Sequence, residues 1–379
     1  MAARFDTLAD EVGAGFRVSD AAAGAVESNL ELARRGGLPG LTVPVGEGGL
    51  GANLLEFASY QVRLGRRDGA TALVLAMHHM MLGGEAEAGL WPADSWHELC
   101  AAVIGNGALV NSAATEPGAG TPSQGGLPAT SATPRDTGDD PRPGTAWVLN
   151  GRKAYTTGAP HLGFMRVSAR IDDAAGKPFG ARFLVRLPAP GLSIEDTWRP
   201  AALVAAANDD VVFAGTPCTF LYREEGRGCE GTVWFQVAIA STYLGIGFAA
   251  HEAAVDYTGN RVTAAGPISD RESVRLRLGR SRAGLEVARR NLMATCAEWL
   301  GLGPGQREAL LPDVGLAKAT AVGAAANAAE EAVRLSGAGG FGADQPFARW
   351  LLETRAGLSH PPIDDVAHLQ LAQRDLSAG

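Results

Sequence analysis

Apolar residues in the first third of the chain recur at the three- and four-residue spacing that is typical of helices. The pattern predicts helices from Leu54 to about Leu64, from Ala70 to about Leu82 and from Trp96 to about Ile104. Glycine-rich segments interrupt the chain before them, at 36–40 and at 46–51. We therefore expect an N-terminal helical domain over residues 1–110.

The pattern changes to short strands between about residue 110 and residue 225. Two runs, 146–149 and 153–156, flank Asn150-Gly151, and both of these residues tolerate the positive φ that a two-residue hairpin requires. The segment 118–144 is rich in proline, glycine, serine and threonine, which predicts an exposed loop. Further strands are predicted at 164–170, 182–186 and 211–213. The sequence thus predicts a central β domain over residues 111–228.

Helical periodicity returns after about residue 230. One apolar stripe consists of residues that recur at helical intervals: Leu278, Leu285, Ala288, Leu292, Cys296 and Trp299. Two more helices are predicted, over 314–335 and 366–371. A helical bundle domain is therefore expected over residues 229–379. The order of helices, strands and helices predicts an α+β fold that is mostly α.

Net charge and hydropathy limit the possible partners. The 379 residues carry a net charge of −8, so no basic field attracts nucleic acid or an anionic membrane surface. No stretch approaches the ~18 uninterrupted apolar residues of a membrane span, and the first residues lack the apolar segment of a signal peptide. We expect a cytoplasmic protein with no nucleic-acid or membrane partner.

The cysteines indicate neither a disulfide framework nor a metal site. Cys100, Cys218, Cys229 and Cys296 form no Cys-x-x-Cys pair and show no metal-like spacing to histidine. They are expected to be reduced thiols, mostly with a structural role, and no metal ligands are predicted.

Five motifs occur in a defined order along the chain: Gly40-Leu41-Thr42-Val43-Pro44, Ala114-Thr115-Glu116-Pro117-Gly118-Ala119-Gly120-Thr121, Asn150 to Gly158, Gly266-Pro267-Ile268 and Gly337 to Gly342. Their residues and order resemble the acyl-CoA dehydrogenase superfamily of flavoproteins. The second motif is the most specific, and together they cover nearly the whole chain. The resemblance implies an N-terminal helical domain, a central β-barrel-like domain and a C-terminal four-helix bundle.

The resemblance also implies a flavin, FAD or FMN, held at the central domain. The implied cofactor-binding residues are Thr115, Gly120, Thr121, Tyr155, Thr156, Thr157, Arg261, Gly339 and Gly340. In this family the flavin site is completed across subunits, so a homodimer or homotetramer is expected. Ser273 and Ser336 replace glutamines that are typical of the dehydrogenases. We therefore expect weaker binding of the AMP half of FAD, and FMN stays an alternative cofactor.

The C-terminal run from Arg355 to Pro362 departs from the dehydrogenases. Ungapped alignment places Pro361 where they carry the glutamate that removes a substrate α-proton, and His360 where they carry a tyrosine. Some relatives place the glutamate at a position that corresponds to about Phe235, which is not acidic. Asp364 and Asp365 are interpreted as an N-cap of the last helix.

This tail resembles the reduced-flavin-dependent monooxygenases of the same fold, of the dibenzothiophene monooxygenase and amino-sugar N-oxygenase types. Such enzymes take reduced flavin from a separate flavin reductase and use oxygen. The resemblance implies His360 as a catalytic residue, with a pKa near neutral. His79 is the second catalytic candidate. Because adjacent helical residues point about 100° apart, at most one of His78 and His79 faces the cleft.

The favoured function is a flavin-dependent oxidoreductase of monooxygenase type that acts on a small organic molecule. One alternative is a dehydrogenase of acyl-CoA or acyl-carrier-protein thioesters with a relocated base. The other is a catalytically inactive scaffold, which the loss of dinucleotide-contacting residues such as Ser273 and Ser336 keeps open.

Overall fold

The N-terminal part of the protein is helical. The computed structural model describes residues 2–18, 24–118, 126–135, 141–172, 177–342 and 345–377. The first helices are α1 (Asp6–Gly13), α2 (Ala25–Arg35), α3 (Leu54–Gly65), α4 (Gly69–Ala88) and α5 (Ala93–Asn106). The helices predicted near 54–64, 70–82 and 96–104 are confirmed, and α4 is longer than predicted.

Polar caps set the beginnings of α3 and α4. The Asn53 side chain accepts from the Glu56 amide, and the Glu56 side chain accepts from the Asn53 amide, which forms a capping box. The Asp68 carboxylate accepts from the amide of Thr71 at 2.9 Å. Helix α4 continues through Gly83 and Gly84 to Ala88 and ends at Gly89, whose φ is 60°.

The central strands close into a barrel. They are β1 (Val110–Ala113), β2 (Ser131–Pro134), β3 (Ala146–Thr156), β4 (Phe164–Ile171), β5 (Phe179–Arg186), β6 (Leu192–Glu195) and β7 (Asp209–Arg223). Neighbours pair in the closed order β2, β3, β7, β5, β4 and back to β2. The β4–β2 pairing is parallel and the others in the ring are antiparallel. Aromatic rings of Trp147, Phe183 and Phe220 pack together, with centroids 5.6 to 6.1 Å apart.

Two local predictions in the barrel are wrong. Asn150-Gly151 does not form a hairpin turn, because β3 runs through it and pairs with β7 on both sides of a bulge at Leu149/Asn150. Instead, the Asn150 side chain accepts from the amide of Gly215 on β7 at 2.9 Å. The predicted loop 118–144 contains β2, which pairs with β3 and β4.

The C-terminal part is a helical bundle. It consists of α6 (Glu230–Asn260), α7 (Glu272–Gly301), α8 (Leu311–Ser336), α9 (Phe347–Ala356) and α10 (Asp364–Ser377). A short β8–β9 hairpin (Val262–Thr263 and Gly266–Pro267) joins α6 to α7. The predicted stripe on α7 is confirmed for Leu285, Ala288, Leu292, Cys296 and Trp299, which are buried, while Leu278 is half-buried.

Helix α6 is the centre of this bundle and approaches two neighbours at backbone distance. A Cβ on Gly245 would lie 2.8 Å from the Cα of Gly65 on α3. A Cβ on Gly247 would lie 2.6 Å from the Cα of Ala325 on α8. Side chains larger than hydrogen are therefore excluded where α6 crosses α3 and α8.

Two helical segments are long and apolar enough to cross a membrane by length and composition alone, among the described residues. They are Glu230–Asn260 and Pro304–Phe341, and 89% and 56% of their apolar windows are buried inside the protein. Core helices of water-soluble proteins pass the same test, so this is weak support for a membrane span.

A buried ion pair holds the start of the barrel together. The Lys153 side chain is fully buried, and its Nζ lies 2.6 Å from Oε1 of Glu116 and 3.1 Å from Oγ of Ser168. Burial alone would raise the pKa of the Glu116 carboxyl, but hydrogen bonds from Lys153, Thr130 and Ala129 lower it to about 2. Burial lowers the pKa of Lys153 to about 8, so both groups are charged at pH 7.

We expect Lys153→Met to lower the free energy of unfolding by about 3–5 kcal/mol at pH 7, because it leaves the buried Glu116 carboxylate without its cation. Chemical denaturation measures the loss. The double variant Glu116→Gln/Lys153→Met should recover part of it, since no buried charge remains. A double variant that is no more stable than the single one contradicts this role for the pair.

We expect Gly245→Ala to destabilise the protein by about 1–3 kcal/mol, because the new methyl group meets the backbone of α3. Gly259→Ala is the matched control in the same helix, where a Cβ meets nothing within 4 Å. There the better helix propensity of alanine should add up to about 1 kcal/mol. Thermal unfolding of both variants should show opposite signs, and two stabilised variants would refute the close contact.

Candidate functional site

The end of β3 and the segment after β1 place three predicted flavin-binding threonines together. The backbone carbonyl of Thr115 accepts from the amide of Ala154 at 2.9 Å. Thr156 is fully buried and its Oγ1 has no hydrogen-bond partner among the described residues. The carbonyl of Thr157 accepts from Nδ2 of Asn111 at 2.9 Å. The backbone is thus held by hydrogen bonds, while the Thr156 hydroxyl is left unpaired.

Tyr155 projects from the same strand end in a strained conformation. Its φ is 56°, a region that non-glycine residues rarely adopt, and 64% of its surface is exposed. Its ring lies edge-on to Trp198, with centroids 6.1 Å apart. Trp198 is fixed by the hydrogen bond from its Nε1 to the carbonyl of Leu203 at 3.0 Å. Tyr155 and Trp198 therefore present aromatic surface at the end of β3.

The ends of α6 and α8 carry three further predicted cofactor residues, Arg261, Gly339 and Gly340. Arg261 donates from Nη1 to the hydroxyl of Tyr257, which in turn donates to the carbonyl of Ser336 at 3.1 Å. A Cβ on Gly339 would lie 2.7 Å from that hydroxyl and 3.3 Å from Nη1 of Arg261. Gly340, the next residue, is buried against Ser336. The structure therefore brings Arg261 and the glycine turn together.

Two predicted cofactor residues, Gly120 and Thr121, lie outside the described residues. Their assignment stays a prediction from the motif.

These groups fit a flavin. A buried hydroxyl without a partner costs stability unless a ligand atom bonds it, and Thr156 supplies such a group. Tyr155 offers an exposed ring for an aromatic ring system, and the exposed guanidinium of Arg261 suits a phosphate. The cofactor expected at this site is FAD or FMN.

His360 lies against α6 in a half-buried pocket of aromatic rings. Its Nε2 is 3.0 Å from the hydroxyl of Tyr243, and the two ring centroids are 5.6 Å apart. Phe235 meets the same imidazole edge-on at 6.3 Å. Burial, with a smaller contribution from the Lys318 charge, lowers the pKa of His360 to about 4. The imidazole is therefore neutral at pH 7, and its pKa is well below the near-neutral value expected from the sequence.

A buried lysine fixes the turn that carries His360. Nζ of Lys318 on α8 donates to the carbonyl of Pro362 at 3.1 Å and lies 3.7 Å from Oδ1 of Asp364. Asp364 is the first residue of α10, and its charge is offset by Lys318. Because Lys318 is fully buried, the turn from His360 to Asp364 is anchored from inside the bundle.

The histidine pair on α4 is buried. His78 bridges two segments, with Nε2 2.9 Å from the carbonyl of Pro39 and with Nδ1 accepting from the amide of Val110 at 3.0 Å. His79 is also fully buried, and neither ring nitrogen has a partner among the described residues. Its ring packs edge-on to those of Tyr60 and Phe57, each with a centroid distance of 5.8 Å. The catalytic assignment of His79 stays a prediction.

No carboxylate is in contact with the His360 imidazole among the described residues. Two acidic groups of this region have other partners: Asp364 faces Lys318, and Glu353 is buried beside α4. Oε1 of Glu353 is 3.5 Å from Nε of Arg349, and Oε2 is 3.3 Å from where a Cβ on Gly69 would lie. Burial raises the pKa of Glu353 to about 8, so this carboxyl is mostly protonated at pH 7.

Sequence reasoning missed Tyr243 and Trp198. Tyr243 lies in the uniformly buried helix α6, where nothing in the pattern separates a polar contact from core packing. Trp198 lies in a segment without periodicity. Both residues could be found only from the side chains that they contact. Among the described residues, no group of three or more histidine, cysteine, aspartate and glutamate side chains could hold a metal ion.

Comparison with known proteins places the chain in a family. The pattern of the acyl-CoA dehydrogenase middle domain matches residues 111–216, and that of the acyl-CoA dehydrogenase C-terminal domain matches residues 233–358. YdbM of Bacillus subtilis strain 168, provisionally named an acyl-CoA dehydrogenase, is 32% identical over 351 residues, which are 90% of this chain and 88% of that protein.

Two solved structures share the fold at lower identity. Butyryl-CoA dehydrogenase from Megasphaera elsdenii superposes with a TM-score of 0.83 at 20% identity, covering 99% of this chain and 98% of that one. Dibenzothiophene monooxygenase from Paenibacillus sp. A11-2 superposes with a TM-score of 0.82 at 18% identity, with the same two coverages. The predicted fold is confirmed, and the chain belongs to the acyl-CoA dehydrogenase family of flavin-dependent oxidoreductases.

Proposed function

We propose that this protein is a monooxygenase that uses reduced FMN or FAD and oxygen to oxidise a small organic molecule. The observation that carries the proposal is the surrounding of His360, where a neutral imidazole is enclosed by Phe235 and Tyr243 and, among the described residues, contacts no carboxylate. Removal of a proton from carbon requires a positioned base with a matched pKa, and this imidazole, with a pKa of about 4, is poorly suited to that task.

In this proposal, residues of the barrel bind the flavin and a residue of the bundle contacts the reacting molecule. The hydroxyls of Thr115, Thr156 and Thr157 would bind the polar edge of the flavin, and Tyr155 would lie against its ring. When bound, the flavin supplies two-electron redox chemistry that side chains do not provide. His360 would hydrogen-bond a reacting oxygen atom, while the aromatic rings beside it exclude water.

The dehydrogenase alternative has its own support. Glu353 is a buried carboxyl with a raised pKa, which is the electronic property of a base that removes a proton from carbon. YdbM, the 32% identical relative, also carries a dehydrogenase name. Against this reading, Glu353 is only 3% exposed and packs against Arg349 and Gly69 rather than against His360.

Anaerobic titration of the purified protein with oxidised and reduced FMN and FAD tests the proposal. We expect the reduced form of one flavin to bind at least about tenfold more tightly than its oxidised form, as an enzyme that accepts reduced flavin from a separate reductase requires. Admission of oxygen should then give substrate-dependent oxygen consumption.

Other outcomes of this titration identify the alternatives. Tightly bound oxidised FAD that an acyl thioester bleaches without oxygen would establish a dehydrogenase, and loss of that bleaching in Glu353→Gln would assign the base. If neither flavin raises the melting temperature, the inactive scaffold is favoured.

We expect His360→Asn to reduce substrate-dependent oxygen consumption by about 100-fold, because the hydrogen bond to the reacting oxygen atom is lost. Its flavin affinity should change little, since the predicted flavin contacts lie on the barrel. His368→Asn on the exposed side of α10 is the control and should keep wild-type activity. Full activity in His360→Asn would exclude His360 from catalysis.

A further inference from the structure

Tyr243 and His360 form a contact whose hydrogen-bond direction can be deduced. Tyr243 lies on α6 with no exposed surface, and its hydroxyl is 3.0 Å from Nε2 of His360. The chain passes closely over the phenol ring at Gly357, where a Cβ would lie 2.9 Å from Cγ of Tyr243. Three residues later the chain reaches His360, so this close passage fixes the imidazole against the hydroxyl.

We propose that Tyr243 is a positioning residue that holds His360 as the tautomer with its proton on Nδ1, so that the imidazole offers an N–H donor to the molecule in the site. The inference rests on the proposed function only in assigning His360 to that site.

The direction follows from the single proton of the phenol. Burial, and secondly the charge of Glu353, raises the pKa of Tyr243, so the hydroxyl is protonated at pH 7. Among the described residues the only acceptor that this hydroxyl contacts is Nε2 of His360. A buried donor without an acceptor is costly, so the hydroxyl donates and Nε2 accepts. The proton of the neutral imidazole then lies on Nδ1.

The groups around His360 favour the neutral form of its imidazole. Lys318 from α8 presents its ammonium group beneath the turn, and Asp364 at the start of α10 faces that ammonium group. Glu353 from α9 is held beside Arg349 and makes no hydrogen bond to His360. Burial and the nearby Lys318 charge both disfavour protonation of the imidazole, so a single tautomer can dominate at pH 7.

The consequence concerns the chemistry of the occupant. Nδ1 of His360 has no hydrogen-bond partner among the described residues, and the side chain is only half-buried. A neutral N–H group binds an oxygen acceptor, such as a carbonyl or a reacting oxygen atom, and cannot itself accept a proton. The site therefore favours occupants that present an acceptor to His360.

Nitrogen NMR of the full-length protein labelled with 15N-histidine tests this inference at pH 7 without added flavin or substrate. Protonated and unprotonated imidazole nitrogens have well-separated chemical shifts, and the signals lost in His360→Asn identify this residue. We expect an unprotonated Nε2 and a protonated Nδ1 in the wild-type protein. In Tyr243→Phe the Nε2 signal should shift toward that of a protonated nitrogen, because its donor is gone.

Tyr222→Phe is the matched control, since the Tyr222 hydroxyl lies on β7 of the barrel and accepts from Arg166 rather than contacting His360. It should leave the His360 signals unchanged. A proton on Nε2 of the wild-type protein, or averaging over both nitrogens, overturns the inference, as does a Tyr243→Phe spectrum identical to wild type. Should Tyr243→Phe fail to fold, the wild-type spectrum still decides. The NMR test uses no flavin or oxygen, so its outcome is independent of the flavin titration. Either the tautomer inference or the proposed function can therefore fail while the other stands.

Discussion

At Gly65 and Gly245 the backbones of α3 and α6 meet with no side chain between them, and Gly247 allows α8 the same approach on another side of α6. Helix α6 is therefore enclosed along most of its length. Because close-packed interiors transmit small displacements, the placement of Tyr243 depends on these crossings. His360 lies directly against Tyr243, so the position of its imidazole depends on the tightly packed helix α6.

Strand β3 carries buried polar side chains that differ in whether they have hydrogen-bond partners. In the barrel, Lys153 and Glu116 satisfy each other at 2.6 Å, and backbone amides complete the carboxylate. At the end of the same strand, Thr156 keeps an unpaired hydroxyl beside the strained backbone of Tyr155. Unsatisfied groups and strain cost free energy, and proteins retain them where a ligand completes the site.

Local sequence patterns succeeded where one physical period dominates. The apolar residues of α7 recur at helical spacing, so their side chains lie on one face of the helix. That face is buried in the structure, as the pattern predicts. Asn150-Gly151 failed because pairing of β3 with β7 over both flanks outweighs the local preference for a turn, and the extra residue becomes a bulge. The motif order indicated His360, but it gave no information about burial, and burial lowers the pKa of this imidazole to about 4.

The sequence by itself determined the order of helices, barrel and bundle, the family motifs that mark the flavin site, and the lack of an acidic residue at Pro361. These properties are local or linear, so periodicity and motif order suffice to read them. Only the tertiary structure decided that Tyr243 contacts His360 across 117 positions of the chain and that Lys318 anchors the turn beside it. Such pairings depend on which faces of distant helices pack together, and packing is set by the whole core rather than by any single segment.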